Sequence, residues 1–283
     1  MRPSTAPKAG VMGWPIGHSL SPCIHGFWLR QYNIAGSYEA LAVKPENLPV
    51  ALLELKAKGY VGVNLTIPHK VAACKTVDAL DPTAQRIGAV NLVTVDERGR
   101  LQGSNTDAYG FTQNLLASGF KPPGGAAVVL GAGGACRAIL VALADMGFST
   151  IRIANRTREY AERLAEEFST SQTKISVLSW NNAPQALSDI DLLVNATSLG
   201  MKGQPALIFS LDKLPPAAAV ADVVYAPIET KILKKAKQQG FKTIDGLGML
   251  LHQARPSFKA FFGRDPEVTE ELKSFVLSEK TGA

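Results

Sequence analysis

Gly131-Ala132-Gly133-Gly134-Ala135 follows the apolar run Ala126-Ala127-Val128-Val129-Leu130 and opens the helix-like Arg137-Ala138-Ile139-Leu140-Val141-Ala142-Leu143. A strand, a glycine turn and a helix in that order suit a pyrophosphate. The glycines permit a tight turn and a close approach of the backbone, and the free N–H groups at the helix N-terminus face the anion. A second strand, Thr150-Ile151-Arg152-Ile153-Ala154, comes next. An acid at its end would bind the ribose 2′-hydroxyl of NAD. The chain carries Asn155-Arg156-Thr157-Arg158 there. Two guanidiniums without a carboxylate suit a 2′-phosphate, so the pattern points to NADP.

Outward from this unit the α/β rhythm continues. Strands are expected at 126–130, 150–154, 175–178, 191–195, 219–224 and 242–244, with helices at 134–146, 158–168 and 228–239, the pattern of a doubly wound sheet. Upstream, Lys121-Pro122-Pro123-Gly124-Gly125 separates this region from an earlier one. In that earlier region strands are expected at 11–13, 38–43 and 60–65, and a hairpin, 89–95 with 101–103, around Arg98-Gly99. Helices are expected at 22–32 with Ser21 as N-cap, at 48–58, at 68–77 and at 106–118, then at 248–262 and 269–277 near the C-terminus. Residues 1–10 read as a disordered lead-in. The fold class is α/β, with two α/β domains and a cleft between them. The first, residues 1–106 plus 247–283, has a mainly parallel sheet; the second, 107–246, is a Rossmann-type NADP domain.

Composition narrows the function classes. A chain of 283 residues is long enough for two cores, and 46% hydrophobic with 19% charged residues is ordinary for a soluble globular protein. No apolar run is long enough to span a membrane, and the N-terminus lacks the apolar segment of a secretory signal. The net charge of +6 is dispersed. Only Lys234-Lys235-Ala236-Lys237 clusters, as the solvated face of a helix, so no nucleic-acid partner is expected, whereas a basic surface suits an anionic metabolite. Cys23, Cys74 and Cys136 are isolated and fit a reducing cytoplasm. His18, His25, His69 and His252 lack metal-ligand spacing, and no metal site is expected.

Three polar segments lie outside the glycine unit. Ser19-Leu20-Ser21-Pro22 places two hydroxyls beside a helix N-terminus, as a carboxylate cradle or as a simple cap. Asn64-Leu65-Thr66-Ile67-Pro68-His69-Lys70 runs from a strand end into an expected helix, with Asn64 and Thr66 on one face. Lys70 in a first helical turn would sit where the dipole disfavours a cation, so it needs a partner or a function. Gly103-Ser104-Asn105-Thr106-Asp107 precedes a helix and either caps it or supplies an acid. Lys70 and Asp107 together would make a proton relay.

These segments resemble those of the shikimate dehydrogenase family across nearly the whole chain. Ala89-Val90-Asn91, Asn195-Ala196-Thr197-Ser198-Leu199-Gly200-Met201, Asp222-Val223-Val224-Tyr225-Ala226-Pro227 and Gly248-Met249-Leu250-Leu251-His252-Gln253 add to the resemblance, in order. It implies reversible reduction of 3-dehydroshikimate to shikimate with NADPH, in aromatic amino-acid biosynthesis. By the same resemblance Ser19 and Ser21 bind the substrate carboxylate, and Lys70 and Asp107 form the catalytic pair. Asn64, Thr66, Asn91 and Gln253 bind ring hydroxyls, and Tyr225 lines the substrate cleft. Gly131, Ala132, Gly133, Gly134 and Ala135 hold the pyrophosphate, while Asn155, Arg156 and Thr157, with Arg158 available, face the ribose phosphate. Thr197, Ser198, Leu199, Met201, Gly246 and Met249 lie toward the nicotinamide. Lys70 as the literal acid and Lys70 as an electrostatic stabiliser both stay open. Leu65, Ser104 and Tyr160 depart from residues common in the family, and Tyr160 leaves the second phosphate contact open. A dehydrogenase of broader quinate/shikimate specificity is the alternative. A non-catalytic NADP-binding sensor is the other, and Lys70 with Asp107 argues against it. The expected partner is a small molecule, for a cytoplasmic monomer or homodimer.

Overall fold

The computed structural model describes residues 6–121 and 124–281. The chain divides into two compact units, one of residues 1–106 and 251–283, the other of residues 107–250.

The first unit opens with β1 (Lys8–Gly13), α1 (Ser21–Gln31), β2 (Ser37–Ala42), α2 (Leu48–Leu53) and β3 (Tyr60–Leu65). It continues with β4 (Ala79–Leu80), α3 (Pro82–Ile87), β5 (Leu92–Val95) and β6 (Leu101–Ser104). The sheet order is β2-β1-β3-β5-β6-β4. β5 alone runs against its neighbours, and β5 and β6 form the hairpin expected around Arg98-Gly99. One face of the sheet packs Met12, Leu65, Val63, Val93 and Leu101 against Leu48, Leu52 and Leu55. An aromatic group that includes Trp28, Phe258, Phe261 and Phe262 builds a separate core.

The second unit holds α4 (Asp107–Ala117), β7 (Ala126–Leu130), α5 (Gly134–Asp145), β8 (Thr150–Ala154), α6 (Arg158–Phe168) and β9 (Lys174–Leu178). It then adds β10 (Leu192–Asn195), β11 (Ala219–Asp222), α7 (Lys231–Gln238) and β12 (Lys242–Ile244). Helix α8 (Gly246–Phe262) starts in this unit and continues into the first, where α9 (Glu270–Thr281) ends the described chain. The order β12-β11-β10-β7-β8-β9 is parallel throughout. This is the doubly wound order, whose direction reverses between β7 and β10, where such sheets bind their ligands. The strands are buried on both faces, so each reads as a continuous apolar run.

Several expectations are corrected. Residues 8–10 of the expected lead-in belong to β1, and residues 1–5, like Pro122 and Pro123 of the expected linker, lie outside the described residues. Ser21 is the first residue of α1; the N-cap is Leu20, with no side-chain bond. Helix α2 stops at Leu53, because the Leu55 carbonyl accepts from Tyr60 N–H at 2.9 Å and turns the chain into β3. Segment 68–77 forms turns and a single 3-10 stretch, Ala72–Lys75. There the Lys70 carbonyl accepts from Val90 N–H at 2.8 Å, and the His69 ring bonds the Val43 carbonyl at 2.9 Å. Those bonds anchor the segment sideways and remove it from a helical ladder. The helix-dipole argument for Lys70 therefore falls. Helix α7 begins at Lys231, three residues later than expected.

Candidate active site

In the first unit the sequence-expected polar residues meet at the carboxyl ends of β1 and β3. Asn64 is the penultimate residue of β3 and is buried. Its Nδ2 donates to the Asn91 carbonyl at 2.9 Å and to Ser257 Oγ at 2.7 Å. Its Oδ1 accepts from the Tyr38 hydroxyl at 2.8 Å. Both amide protons are thus committed, and a ligand can reach Asn64 only as a donor to the remaining Oδ1 lone pair. Asn91 is fixed as firmly. Its Oδ1 accepts from Thr106 N–H at 2.8 Å, and its Nδ2 donates to Thr106 Oγ1 at 3.0 Å. Gln253 Oε1 stands 3.5 Å from both Asn91 Nδ2 and Thr106 Oγ1. Gln253 and Ser257 lie one turn apart on α8, so one helix face holds both asparagines.

Ser19 precedes α1 and accepts from Ser21 N–H at 3.3 Å. Burial raises the Tyr38 pKa well above the ordinary tyrosine value. Its ring stacks on His25, with centroids 3.9 Å apart and planes 4° from parallel. Thr66 follows β3, and its N–H donates to the Met12 carbonyl at 3.0 Å. Lys70 is half-buried in the turn beyond it. Asn64, Asn91 and Gln253 therefore belong to one neighbourhood, with Lys70 tied to it by its own carbonyl through Val90, while Ser19 and Ser21 stand at the start of α1, whose His25 stacks on Tyr38. Thr106 closes this cluster, and the next residue, Asp107, begins the second unit as the buried first residue of α4. A carboxylate is electrostatically favoured at a helix start.

In the second unit the glycine turn caps the carboxyl end of β7. Gly131 has φ +104°, and a Cβ there would lie 2.8 Å from Thr197 Cγ2 and 3.1 Å from the Ala196 backbone. Gly133 is the N-cap of α5, and a Cβ on Gly133 or on Gly134 would meet no atom within 4 Å. That open cradle at a helix start fits a pyrophosphate approaching the backbone. Asn155 braces the cradle: its Oδ1 accepts from Ala132 N–H at 3.2 Å and its Nδ2 donates to the Thr157 carbonyl at 2.7 Å. Arg156 is exposed and makes no ion pair among the described residues, whereas Arg158 pairs with Glu162 at 2.7 Å.

The loop after β10 is held from below. Asn195 Oδ1 accepts from Thr197 N–H at 3.1 Å and Thr197 Oγ1 at 2.7 Å, and Thr197 Oγ1 accepts from Leu199 N–H at 3.0 Å. Asn195 Nδ2 donates to Asp222 Oδ1 at 2.9 Å, and Thr230 Oγ1 donates to Asp222 Oδ2 at 2.7 Å. Burial raises the Asp222 pKa. Ser198 and Met201 are exposed at this loop, and Leu199 is half-buried. Tyr225 follows β11, with its pKa raised by burial. Gly246 lies close against the Val223 and Val224 backbone, where a Cβ would come within 2.4 Å of the Val223 carbonyl oxygen, and Met249 follows on α8. Among the described residues no group of three or more His, Cys, Asp or Glu side chains is placed to hold a metal, and no helix is long and apolar enough to cross a membrane.

Four structural participants carried no role in the sequence reading: Tyr38, Ser257, Asn195 and Asp222. Ser257 had a usable signal, its spacing of four from Gln253 on one helix. Tyr38 had none, since a tyrosine in a strand reads as core.

Comparison with known proteins gives two family matches. The shikimate dehydrogenase substrate binding domain matches residues 11–93, and the shikimate / quinate 5-dehydrogenase family matches residues 120–202. The NADP(+) shikimate dehydrogenase of Paramagnetospirillum magneticum is 49% identical over 272 residues, covering 95% of this chain and 98% of the relative. A shikimate 5-dehydrogenase from Thermus thermophilus, solved in complex with NADP(H) and shikimate, superposes with a TM-score of 0.84 at 38% identity, covering 98% of this chain and 100% of that one. A quinate dehydrogenase from Corynebacterium glutamicum, solved with NAD, has a TM-score of 0.90 at 29% identity, covering 96% of this chain and 99% of that one.

Proposed function

The chain belongs to the shikimate dehydrogenase family, and on that premise we propose that it catalyses the reversible NADPH-dependent reduction of 3-dehydroshikimate to shikimate, a step toward the aromatic amino acids. The observation that carries this reading is the cluster of Asn64, Asn91, Thr106 and Gln253, joined by bonds of 2.8–3.5 Å. Such a fixed set of small polar groups suits a compact polyhydroxylated acid. The substrate belongs to the first unit and NADP(H) to the second. Bound NADPH supplies the hydride.

The residues of the chain bind, orient and move the proton. Ser19 and Ser21 hold the carboxylate. Asn64 accepts from a ring hydroxyl, and Thr66, Asn91 and Gln253 complete the hydroxyl contacts, with Tyr225 lining the substrate. Lys70 delivers the proton to the carbonyl oxygen or stabilises the negative charge that develops on it, with Asp107 as its counter-charge. Gly131, Ala132, Gly133, Gly134 and Ala135 cradle the pyrophosphate, Asn155 and Thr157 shape the ribose-phosphate turn, and Arg156 reads the 2′-phosphate. Thr197, Ser198, Leu199, Met201, Gly246 and Met249 form the nicotinamide side. The enzyme works in the cytoplasm as a monomer or homodimer, without nucleic-acid or membrane partners.

The structural likeness to a quinate dehydrogenase supports a second reading, broader quinate/shikimate specificity. The test is formation of reduced cofactor, followed by absorbance, with shikimate plus NADP⁺ and with quinate plus NAD⁺. The proposal expects the highest kcat/KM for shikimate with NADP⁺. No reduction with shikimate, or a preference for quinate with NAD⁺, would overturn it.

A further inference from the structure

Helix α8 reaches β3 through a gap that one glycine keeps open. Gly62 and Asn64 share one face of that strand. A Cβ on Gly62 would lie 2.6 Å from Phe261 Cε1, so the strand accepts the helix only because position 62 has no side chain. Phe261 and Ser257 are one turn apart on α8. Phe258 fixes the helix there, its ring packed edge-on against Trp28 with centroids 5.4 Å apart. Ser257 is thereby set against Asn64: its Oγ accepts from Asn64 Nδ2 at 2.7 Å, and both residues are buried.

The Asn91 carbonyl accepts from Asn64 Nδ2 at 2.9 Å and from Leu65 N–H at 2.9 Å. A carbonyl has no proton to give, so the Asn64 amide cannot turn over: its oxygen would then face another oxygen. That bond sets which end of the amide is which. The second amide proton is still to be placed, and Ser257 takes it. Two bonds in two directions from one nitrogen fix the plane of the amide as well as its polarity. Asn64 then offers a ligand an acceptor and no donor. A ring hydroxyl satisfies it, whereas a ring carbonyl is repelled. Shikimate and 3-dehydroshikimate differ only at the reacting carbon, a carbinol in one and a carbonyl in the other. An acceptor-only contact serves both of them only at a ring position that stays a hydroxyl throughout.

We propose that Ser257 is a positioning residue of the substrate site: by taking the second amide proton of Asn64 it makes Asn64 an acceptor-only contact, which selects a non-reacting ring hydroxyl and so sets which way round the ring lies. The proposal rests on Asn64 being a substrate contact, as in the proposed function.

The experiment measures kcat and KM of wild type and Ser257→Ala with NADP⁺ and three substrates: shikimate and two analogues, each lacking a different non-reacting ring hydroxyl. Loss of one neutral hydrogen bond should raise the shikimate KM of Ser257→Ala about two- to tenfold. The NADP⁺ KM and kcat should stay near wild type. The analogue that keeps the hydroxyl read by Asn64 should show the same rise. The analogue that lacks it should be indifferent to the substitution, because Asn64 has nothing left to hold. A merely structural defect would weaken all three alike. Ser257→Cys keeps the size with a weaker acceptor and should fall between wild type and Ser257→Ala. It decides the matter on the same readings if the alanine variant does not fold. An unchanged shikimate KM, an equal loss for all three substrates, or an equal loss for shikimate and NADP⁺ would overturn the proposal. Wild-type protein that does not oxidise shikimate would sink the functional reading instead, so the two failures are distinguishable.

Discussion

Arg156 and His25 show how far single residues decide behaviour. Arg156 is exposed and unpaired among the described residues, while Arg158 is engaged with Glu162. A charge-assisted contact with phosphate is worth about 1.5–3 kcal/mol, so Arg156→Ala should raise the NADP⁺ KM roughly ten- to 150-fold. The NAD⁺ KM should hardly move, because NAD⁺ has no 2′-phosphate. Arg158→Ala should have the smaller effect. Equal losses for NADP⁺ and NAD⁺ in Arg156→Ala would refute the assignment. His25 is fully buried, and burial lowers its pKa from 6.5 to about 3. Between those values the unfolded chain holds a proton that the folded chain lacks. The stability linked to neutral His25 is complete above the unfolded pKa and is lost as pH falls, by about 2 kcal/mol near pH 5. His25→Phe keeps an aromatic ring beside Tyr38, and its unfolding free energy should depend less steeply on pH across that window. Denaturant titrations with the same slope in both proteins would contradict this. At this scale the sequence exposed Arg156, since an Arg where NAD enzymes carry an acid is a local signal. It hid His25 and Tyr38, because stacking and burial arise only when α1 and β2 are brought together.

Elements tell a similar story. The strands of the second unit were legible because parallel strands covered on both faces read as uninterrupted apolar runs, as in Val128-Val129-Leu130. Segment 68–77 misled, because its apolar spacing suits a helix, while Val90 and Val43 capture its backbone and its histidine from outside. Neither capture is visible in a local window. The short β4 and α3 were also unread: two residues of strand, and a helix capped by Asp81, whose Oδ1 accepts from Ala84 N–H at 2.6 Å. The glycine turn allows a prediction that separates fold from binding. Gly131→Ala forces an L-residue into the left-handed region, at roughly 1–2 kcal/mol, and adds a collision with Thr197. Its Tm should fall. Gly133→Ala has ordinary φ and open space around the new Cβ, so its Tm should hold while the NADP⁺ KM rises. Thermal melts and NADP⁺ titration of both variants check this. A Tm loss in Gly133→Ala, or none in Gly131→Ala, would be the wrong result.

Across the whole molecule, each unit gathers its polar residues at the carboxyl ends of its strands, one set suited to a hydroxylated acid and the other to a dinucleotide. Both sets were named from sequence through short ordered motifs. The bonds that orient them, from Ser257 to Asn64 and from Asp222 to Asn195, join positions far apart in the chain and became visible only in the fold. Turnover needs one group to manage the proton while the rest bind, and the account gives that work to Lys70. The most direct measurement is kcat and both KM values of folded Lys70→Met with shikimate and NADP⁺. The side-chain stem is kept and the charge removed, while every residue assigned to NADP⁺ is left in place. The account predicts a kcat lower by about 10²-fold or more, with the KM for NADP⁺ near wild type. Near wild-type kcat would show that another group handles the proton and would contradict the mechanism.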